Sequence, residues 1–400
     1  MPHTPPSGFP GYDPSLHAVQ ALIDPHAVAH NLRHLRQVLA ASRADDPAPG
    51  VRLWAVVKAD AYGHGLAMVY PGLHDADGLA VFSKQEAYAC RQMGWKKPLL
   101  VMGSRLEPED LHHAALFPLH WVVDDWSALR QLGLCPTGRP LHAWLRFRGH
   151  LNHGGFDPAS YRKAYLRLAE LQQAGHVSGI GHFCHYASGE DPQQLQEERQ
   201  FFSHCRAGLP GPVCTENSGS LLIEPEQAAR TDWVRTGIAL YGISPLSGEH
   251  GGALGLRPAM RLQAPLLEVR PLAAGSPLGY GADFRAPHDM QIGLLACGYA
   301  DGFPRRPGPD AQVLVGGSHS RIVGRVAMET LAIDLTGLPR SSPITLWGDP
   351  LLPIEHVARR ADTIPAQLCT ALTARVVRRQ VPASDAAAQS ARTLKWPEDR

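Results

Sequence analysis

A lysine at the end of an apolar run is the first residue whose setting suggests chemistry. Lys58 follows the run Leu53–Val57 and precedes the turn-rich segment ADAYGHG. If the run is a strand of a parallel barrel, Lys58 lies at the carboxyl end, where such barrels carry their active sites. Apolar surroundings disfavour the ammonium form, lower the lysine pKa and suit the amine to form an imine with an aldehyde. A lysine that reaches from a strand end into solvent gives the same short pattern.

Two later segments carry groups that could hold a phosphate. TENSGS places Ser218 beside Gly219, and WVRTGIALYG offers the backbone amides of Gly237 and Ile238. Barrels often bind phosphate at the loops after the seventh and eighth strands, through amides at a helix start. Each segment alone is also ordinary turn chemistry.

The longer strings around these residues resemble the alanine racemase family. AVVKADAYGHG is similar to the cofactor-lysine motif, WVRTGIALYG to VRPGIxLYG and ACGYADGFPR to GYADG, and matching segments recur from about Ala18 to Val381. The resemblance implies pyridoxal 5′-phosphate linked to Lys58, with Arg235 facing its pyridine nitrogen and His185 packing against its ring. It also implies that the cofactor phosphate is bound by Tyr62, Ser218, Gly237 and Ile238.

Racemisation requires a proton to return from the face opposite to the one that loses it, so two acid/base groups are expected. The resemblance assigns Tyr299 as the partner of Lys58, from the other subunit of a homodimer with shared sites. Because tyrosine has an ordinary pKa near 10, Tyr299 needs help to accept a proton at neutral pH. VGRVAMET corresponds to the segment whose Met328 amide meets the carboxylate of the amino-acid substrate. No metal is expected, since His182 and His185 lack a third ligand and His182 is predicted to be structural.

Three departures from the family pattern bear on the substrate. RGHLNHGG places His153 where an arginine normally holds the cofactor hydroxyl and the substrate carboxylate, so His153 donates one hydrogen bond or Arg148 reaches in. Ala366 replaces a tyrosine that narrows the substrate pocket, and Glu329 replaces an aspartate. We expect serine or a substrate larger than alanine to fit.

The elements that must position these residues are predicted from short apolar runs alternating with helical patterns, which indicate repeated βα units. The fold class is α/β, a (β/α)8 TIM barrel over residues 18–245 followed by a mostly β domain over 246–382, with tails at 1–17 and 383–400. The predicted barrel strands are Leu53–Val57, Gly78–Phe82, Pro98–Met102, Leu119–Val123, Leu141–Phe147, Ser178–His185, Pro212–Glu216 and Trp233–Thr236. The predicted elements of the second domain are Arg261–Val269, Gln291–Ala296, Gln312–Val315, Ser320–Val326, Leu331–Asp334, Ile344–Leu346 and a helix at Ile354–Ala361.

Composition argues against several other classes of protein. The 38 basic and 37 acidic residues nearly cancel, which disfavours nucleic acid and anionic membranes as partners. No apolar stretch approaches the ~20 residues of a membrane span, and no signal peptide is recognisable, so a cytoplasmic location is expected. The seven cysteines are scattered without CxxC spacing, which disfavours disulfides and structural zinc.

Two alternatives to racemisation stay open at this point. The room left by Ala366 would let a β-hydroxy amino acid orient for retro-aldol cleavage with the same cofactor. The other alternative is a non-catalytic homologue, which binds the cofactor but has lost its activity because the arginine site is altered. The retained GYADG segment argues against the second alternative.

Overall fold

The computed structural model describes residues 18–43, 50–103, 105–107, 118–134 and 140–381. These residues form two compact units, one of residues 24–259 and one of residues 18–23 together with residues 260–381. The predicted tails at 1–17 and 383–400 lie outside the described residues.

The first unit is the predicted barrel. In the part of the chain that the structure describes, eight strands form one parallel sheet in which sequence neighbours pair and the last strand returns beside the first. Between the seventh and eighth strands, Asp232 N donates to Val213 O at 3.2 Å and Arg235 N donates to Glu216 O at 3.0 Å. Each strand begins and ends within two residues of its predicted ends. The strands are Arg52–Val56, Gly78–Val81, Leu99–Val101, Leu119–Val123, Leu141–Arg146, Val177–Phe183, Val213–Cys214 and Trp233–Thr236.

Helices connect these strands, and several begin at a residue whose side chain caps the first turn. Asp157 accepts from Ser160 N ahead of Pro158, and Gly175 follows the same helix with a φ of 82°. Both features are favoured helix ends. Among the described residues, the α-helices of this unit are Pro25–Ala41, Leu66–Val69, Lys84–Gln92, Trp126–Leu134, Pro158–Gln173, Pro192–Arg206, Ser218–Ile223 and Pro225–Ala228, and the 3-10 helices are Tyr70–Leu73, Ile238–Tyr241 and Gly251–Leu254. Lys58–Tyr62 is a short helical turn with positive φ angles.

The barrel interior is filled by alternate residues of each strand. The Trp54 and Trp233 rings stack with their centres 4.0 Å apart, and Trp144 and Phe183 belong to the same buried cluster. Because side chains alternate along a strand, the residue two positions after a member of this cluster points to the same side, one layer nearer the carboxyl end of the strand. The residues that follow cluster members in this way include Lys58, Asp124, Arg146, His185 and Arg235.

The second unit is built on a sheet of nine strands among the described residues. The predicted strand Arg261–Val269 was wrong as a single strand, because Pro265 offers no N–H to a ladder and the chain changes partners there. Met260–Ala264 pairs with Gln20–Ile23, whereas Leu266–Leu272 pairs with Met290–Leu295 at the other end of the sheet. The strand order is Leu266–Leu272, Met290–Leu295, Leu331–Asp334, Ser318–Val323, Gln312–Val315, Ile344–Trp347, Met260–Ala264, Gln20–Ile23 and Val377–Gln380.

Shorter elements complete this unit. Pro277–Leu278 pairs with Phe284–Arg285 in a two-stranded sheet. The helix predicted at Ile354–Ala361 is present as Ile354–Arg360, and the remaining helices are Pro365–Ala371 and the 3-10 helices Tyr280–Ala282 and Tyr299–Asp301.

The division between the units falls between Ala259 and Met260, later than the predicted boundary after residue 245. The intervening segment packs on the first helix of the barrel unit. The Asn31 side-chain amide donates to Arg257 O at 2.8 Å, and His34 Nε2 lies 2.8 Å from Leu254 O. These contacts, together with the 3-10 helix Gly251–Leu254, make residues 246–259 part of the barrel unit.

Candidate active site

A cavity of about 770 Å³ opens at the carboxyl ends of the barrel strands. Its volume suits a small-molecule ligand. All the site residues that the sequence predicted within the barrel line it, namely Lys58, Tyr62, His153, His185, Ser218, Arg235, Gly237 and Ile238.

Lys58 begins a turn that is wound in the left-handed sense. The φ angles of Ala59, Asp60, Ala61 and Tyr62 are 54°, 50°, 56° and 53°. This conformation costs an L-residue roughly 1–2 kcal/mol, so the surroundings must hold it in place. Ala59 N donates to Glu86 Oε1 at 2.7 Å, and Leu66 N donates to Asp60 Oδ1 at 2.7 Å.

The electrostatic setting of Lys58 is the one expected of an imine-forming lysine. Burial lowers the pKa of Lys58, the Arg235 guanidinium lowers it further and Glu86 opposes the shift. A lowered pKa raises the fraction of neutral amine at a given pH. The solvated surface lysine considered from sequence does not fit this position.

Arg235 is buried and fixed by its two terminal nitrogens. Nη1 donates to Cys214 O at 2.7 Å, and Nη2 donates to Cys184 O at 2.8 Å and to Thr215 O at 3.1 Å. The guanidinium also lies over the Phe183 ring, 4.2 Å from its centre. Within the described part of the chain, these contacts leave Nε without a partner, so one N–H remains for a ligand in the cavity.

His185 is held neutral beside Arg235. Arg235 Nη2 lies 3.1 Å from His185 Nδ1, and a guanidinium can only donate. Burial is the largest cause that lowers the pKa of His185 to about 3, followed by the charges of Arg235, Lys58 and Arg146. His185 therefore offers an uncharged ring face to the cavity at neutral pH.

Ser218 joins the two segments that were predicted to bind phosphate. Its Oγ accepts from Gly237 N at 3.0 Å and from Ala239 N at 3.4 Å. Ser218 and Ile238 begin helical turns, where N–H groups lack an intrahelical acceptor. The Gly219 and Ser220 amides donate to Asn217 Oδ1, so the Ile238 amide and the Ser218 hydroxyl are the groups of these turns best placed to donate to an anion at the cavity wall.

Gly237 and Tyr62 fit closely at this wall. A Cβ on Gly237 would lie 2.5 Å from the Tyr62 hydroxyl, so a larger residue would displace the tyrosine. Burial raises the pKa of Tyr62 to about 12. The hydroxyl therefore stays protonated and able to donate to an anion.

His153, which the sequence places at the position of the missing family arginine, lines the cavity. Arg148 instead donates from Nε to Gly155 O at 3.2 Å and is not among the cavity-lining residues. Sequence reasoning missed Arg146 and Asp124, which do line it. The signal was available in the strand alternation, since Arg146 lies two residues after the buried Trp144.

The remaining two predicted site residues belong to the β-rich unit and lie side by side there. Tyr299 N donates to Ala327 O at 3.1 Å, and Ala300 N donates to Met328 O at 3.0 Å. A Cβ on Gly298 would lie 2.1 Å from Met328 O, so glycine is required for this approach. The side chains of Tyr299 and Met328 are 39% and 52% exposed, which leaves both available for contacts beyond this unit's own core.

The other two departures from the family pattern lie in the same unit. Glu329 pairs with Arg375 through both carboxylate oxygens, and Arg375 Nε lies 3.5 Å from Asp301 Oδ1 in the Tyr299 turn. The pairing holds the pKa of Glu329 below its usual range. Ala366 lies in the first turn of the helix Pro365–Ala371.

Histidine and cysteine side chains make no metal centre in the described segments, where no group of three possible ligands occurs. The His182 ring is buried between partners, with Nδ1 2.8 Å from the Tyr161 hydroxyl and Nε2 3.3 Å from Pro210 O. This is the structural role that the sequence predicted for His182. Nor does any helix among the described residues have the length and apolar character needed to cross a membrane.

Known proteins match this chain over nearly its whole length. The model of the alanine racemase N-terminal domain matches residues 23–245, and the model of the C-terminal domain matches residues 259–380. An alanine racemase from Bordetella petrii is 38% identical over 370 residues, which are 90% of this chain and 97% of that protein. The chain belongs to the alanine racemase family.

Solved structures agree with this membership. A biosynthetic alanine racemase from Pseudomonas aeruginosa superposes with a TM-score of 0.82 at 33% identity, covering 92% of this chain and 100% of that one. An alanine racemase from Bartonella henselae with covalently bound pyridoxal phosphate superposes with a TM-score of 0.76 at 26% identity, covering 91% and 99%. The predicted family, the predicted barrel followed by a β domain and the predicted class of enzyme, a pyridoxal-phosphate-dependent amino-acid racemase, are confirmed.

Proposed function

We propose that the protein racemises a small amino acid, with Lys58 and Tyr299 as acid/base groups on opposite faces of the substrate α-carbon. The observation that carries the proposal is the cavity that Lys58 shares with the buried Arg235. Lys58, whose pKa is lowered, suits the aldehyde end of the family's cofactor, and the fixed Arg235 guanidinium with its remaining N–H suits the ring nitrogen at the other end.

The residues of the cavity fit pyridoxal 5′-phosphate. Lys58 would hold its aldehyde carbon, and Arg235 Nε would donate to its ring nitrogen. The neutral ring of His185 suits contact with an aromatic plane. Tyr62, Ser218 and the amides of Gly237 and Ile238 would hold the phosphate, and the Gly237 amide would exchange its bond to Ser218 Oγ for one to the phosphate.

The bound cofactor supplies a π system that spreads negative charge from the substrate α-carbon. Arg235 controls how far that charge moves into the ring, because arginine keeps its proton and leaves the ring nitrogen unprotonated. This favours return of the proton to the α-carbon over transfer of the amino group. Arg235 therefore supports racemisation as the outcome.

A homodimer with shared sites is part of the proposal. The exposure of Tyr299 and Met328 supports it, because a tyrosine that serves as a base has to reach a substrate. Co-expression of Lys58→Ala and Tyr299→Ala chains with different tags tests the arrangement. Shared sites predict that the mixed dimer regains activity, because one of its two sites receives both intact residues. A mixed dimer as inactive as its parents would contradict sharing.

The substrate is proposed to be serine or another amino acid larger than alanine. Ala366 leaves space where the family pattern has a tyrosine, and His153 replaces an arginine. A cytoplasmic location is proposed as well, and the six described cysteines, all of them unpaired, support a reducing compartment.

Hydrogen exchange at the α-carbon tests the function directly. The protein loaded with cofactor is incubated in heavy water with each enantiomer of alanine, serine and threonine, and the products are separated by chiral chromatography. We expect α-hydrogen exchange together with inversion for at least one of them. Release of an aldehyde from threonine without inversion would favour retro-aldol cleavage, and no exchange from any amino acid would overturn the proposal.

A further inference from the structure

The Arg146 guanidinium lines the cavity without a partner of its own. Among the described residues it makes no hydrogen bond and no ion pair, although it is half-buried. Arginines that are partly withdrawn from water are normally paired, because an unpaired charge away from solvent is costly. Arg146 is therefore a cation that could bind an anionic ligand in the cavity.

Charged residues of both signs share the cavity with Arg146. The basic residues Lys58 and Arg235 line it, and so do the acidic residues Asp124 and Glu190. Glu190 is occupied, because its Oε2 accepts from the Ser247 hydroxyl at 2.7 Å and from Ser247 N at 3.2 Å.

Asp124 does not neutralise Arg146 by direct contact. No ion pair within 4.0 Å joins them in the described chain, and burial raises the pKa of Asp124 while Arg146 opposes that rise. A Cβ placed on Gly154 would lie 3.7 Å from Asp124 Oδ2 and 4.0 Å from Arg146 Nη1. Both groups thus border the space beside His153 and Gly154, which remains open to a ligand.

We propose that Arg146 binds the α-carboxylate of the amino-acid substrate. A guanidinium presents two parallel N–H donors to a carboxylate, whereas the imidazole of His153 presents one per nitrogen. The positive charge that the family pattern has at the loop position of His153 is thus supplied in this chain from the end of the strand Leu141–Arg146. The inference rests on the proposed function, because it names the group that orients the substrate in that cavity.

Equilibrium binding tests the proposal without requiring turnover. The cofactor-loaded full-length protein is titrated with L-alanine, L-serine and L-alaninamide, which lacks the carboxylate, and binding is followed by cofactor absorbance. Arg146→Gln should weaken binding of alanine and serine at least tenfold, as expected for a charged hydrogen-bonded pair, and leave alaninamide within about twofold. Arg146→Lys, which keeps the charge and loses the bidentate geometry, should fall between wild type and Arg146→Gln.

Two controls separate this role from a structural one. Arg162→Gln removes an exposed arginine that donates to Ala207 O and should change no affinity. Asp124→Asn removes the nearest acid, and the loss caused by Arg146→Gln should persist in that background. Urea unfolding of each variant establishes that it is folded, and Arg146→Lys carries the test if Arg146→Gln fails to fold.

The outcomes distinguish this inference from the proposed function. Equal loss for amino acid and amide, no loss for either, or recovery of affinity through Asp124→Asn would overturn the carboxylate assignment. If wild type binds amino acids with an Arg146-dependent affinity but exchanges no α-hydrogen, the inference stands and racemisation fails. If wild type binds none of the three probes, the carboxylate assignment is overturned, and the exchange test with alanine, serine and threonine decides racemisation separately.

Discussion

Arg235 Nη2 lies 3.1 Å from Nδ1 of His185, so the guanidinium fixes the protonation state of the histidine as well as its position. The ring must carry its proton on Nε2, because Nδ1 accepts from a group that can only donate. The same guanidinium also lowers the pKa of Lys58. Lys58 and His185 are therefore both coupled to Arg235.

Arg235→Lys should destabilise the protein markedly. The carbonyl groups of Cys184, Cys214 and Thr215 would share one ammonium in place of two guanidinium nitrogens, and a buried carbonyl without a donor costs about 1–3 kcal/mol. We expect the free energy of unfolding in urea to fall by about 2–4 kcal/mol. Arg52→Lys, at an exposed position over the Trp233 ring, is the control and should have a much smaller effect. Equal losses of unfolding free energy in the two variants would contradict the prediction that the Arg235 hydrogen bonds stabilise the fold.

Tyr299→Phe should remove one of the two bases and leave the other. The variant keeps the aromatic ring, so the turn pinned by Ala327 and Met328 is retained. We expect α-hydrogen exchange in heavy water to persist, without inversion, for the enantiomer served by Lys58 and to fall by at least 100-fold for the other. Tyr280→Phe, at a tyrosine that is 68% exposed in the same unit, should leave both enantiomers unaffected. Persistent inversion in Tyr299→Phe would remove Tyr299 from the mechanism.

The barrel strands could be predicted from sequence because parallel strands covered on both faces read as apolar runs. Extending the alternation from Trp144 by two residues would also have predicted that Arg146 enters the cavity. The strand Gln20–Ile23 was missed because its partners, Met260–Ala264 and Val377–Gln380, are remote in sequence.

The left-handed turn after Lys58 lay beyond sequence reasoning for a different reason. Ala59, Asp60 and Ala61 have no intrinsic preference for positive φ, so only tertiary contacts such as Glu86 to Ala59 N impose it. Local propensity predicts the opposite hand.

Ala59→Gly should therefore stabilise the folded protein. Glycine adopts a φ of 54° without steric cost, which outweighs the greater entropy it gives the unfolded chain. We expect the free energy of unfolding to rise by about 0.5–1 kcal/mol. Ala89→Gly, in the right-handed helix Lys84–Gln92, should lower it by about 1 kcal/mol. The same sign for both substitutions would argue against the left-handed turn.

His142 should make the barrel sensitive to acid. Burial, with a smaller contribution from Arg52, lowers the pKa of His142 to about 4, below its ordinary value of 6.5. The unfolded chain therefore binds the proton first, and stability is lost as the pH falls from 6.5 towards 4. His142→Phe should reduce the loss of unfolding free energy between pH 7 and pH 5 by roughly 1–2 kcal/mol. His204→Phe, at an exposed histidine of the helix Pro192–Arg206, is the control, and an unchanged pH dependence in His142→Phe would refute the prediction.

Gly237→Ala should weaken cofactor binding by displacing one side chain. A Cβ added to Gly237 would lie 2.5 Å from the Tyr62 hydroxyl, so the substitution crowds that side chain. Moving that hydroxyl removes a donor to the phosphate, and we expect cofactor affinity, measured by absorbance titration of the apoprotein, to fall about tenfold or more. Gly50→Ala, where a Cβ meets nothing within 4 Å, controls for the substitution itself. Because the two changes add the same methyl group, equal affinities would contradict the prediction that crowding at Gly237 disturbs the phosphate ligands.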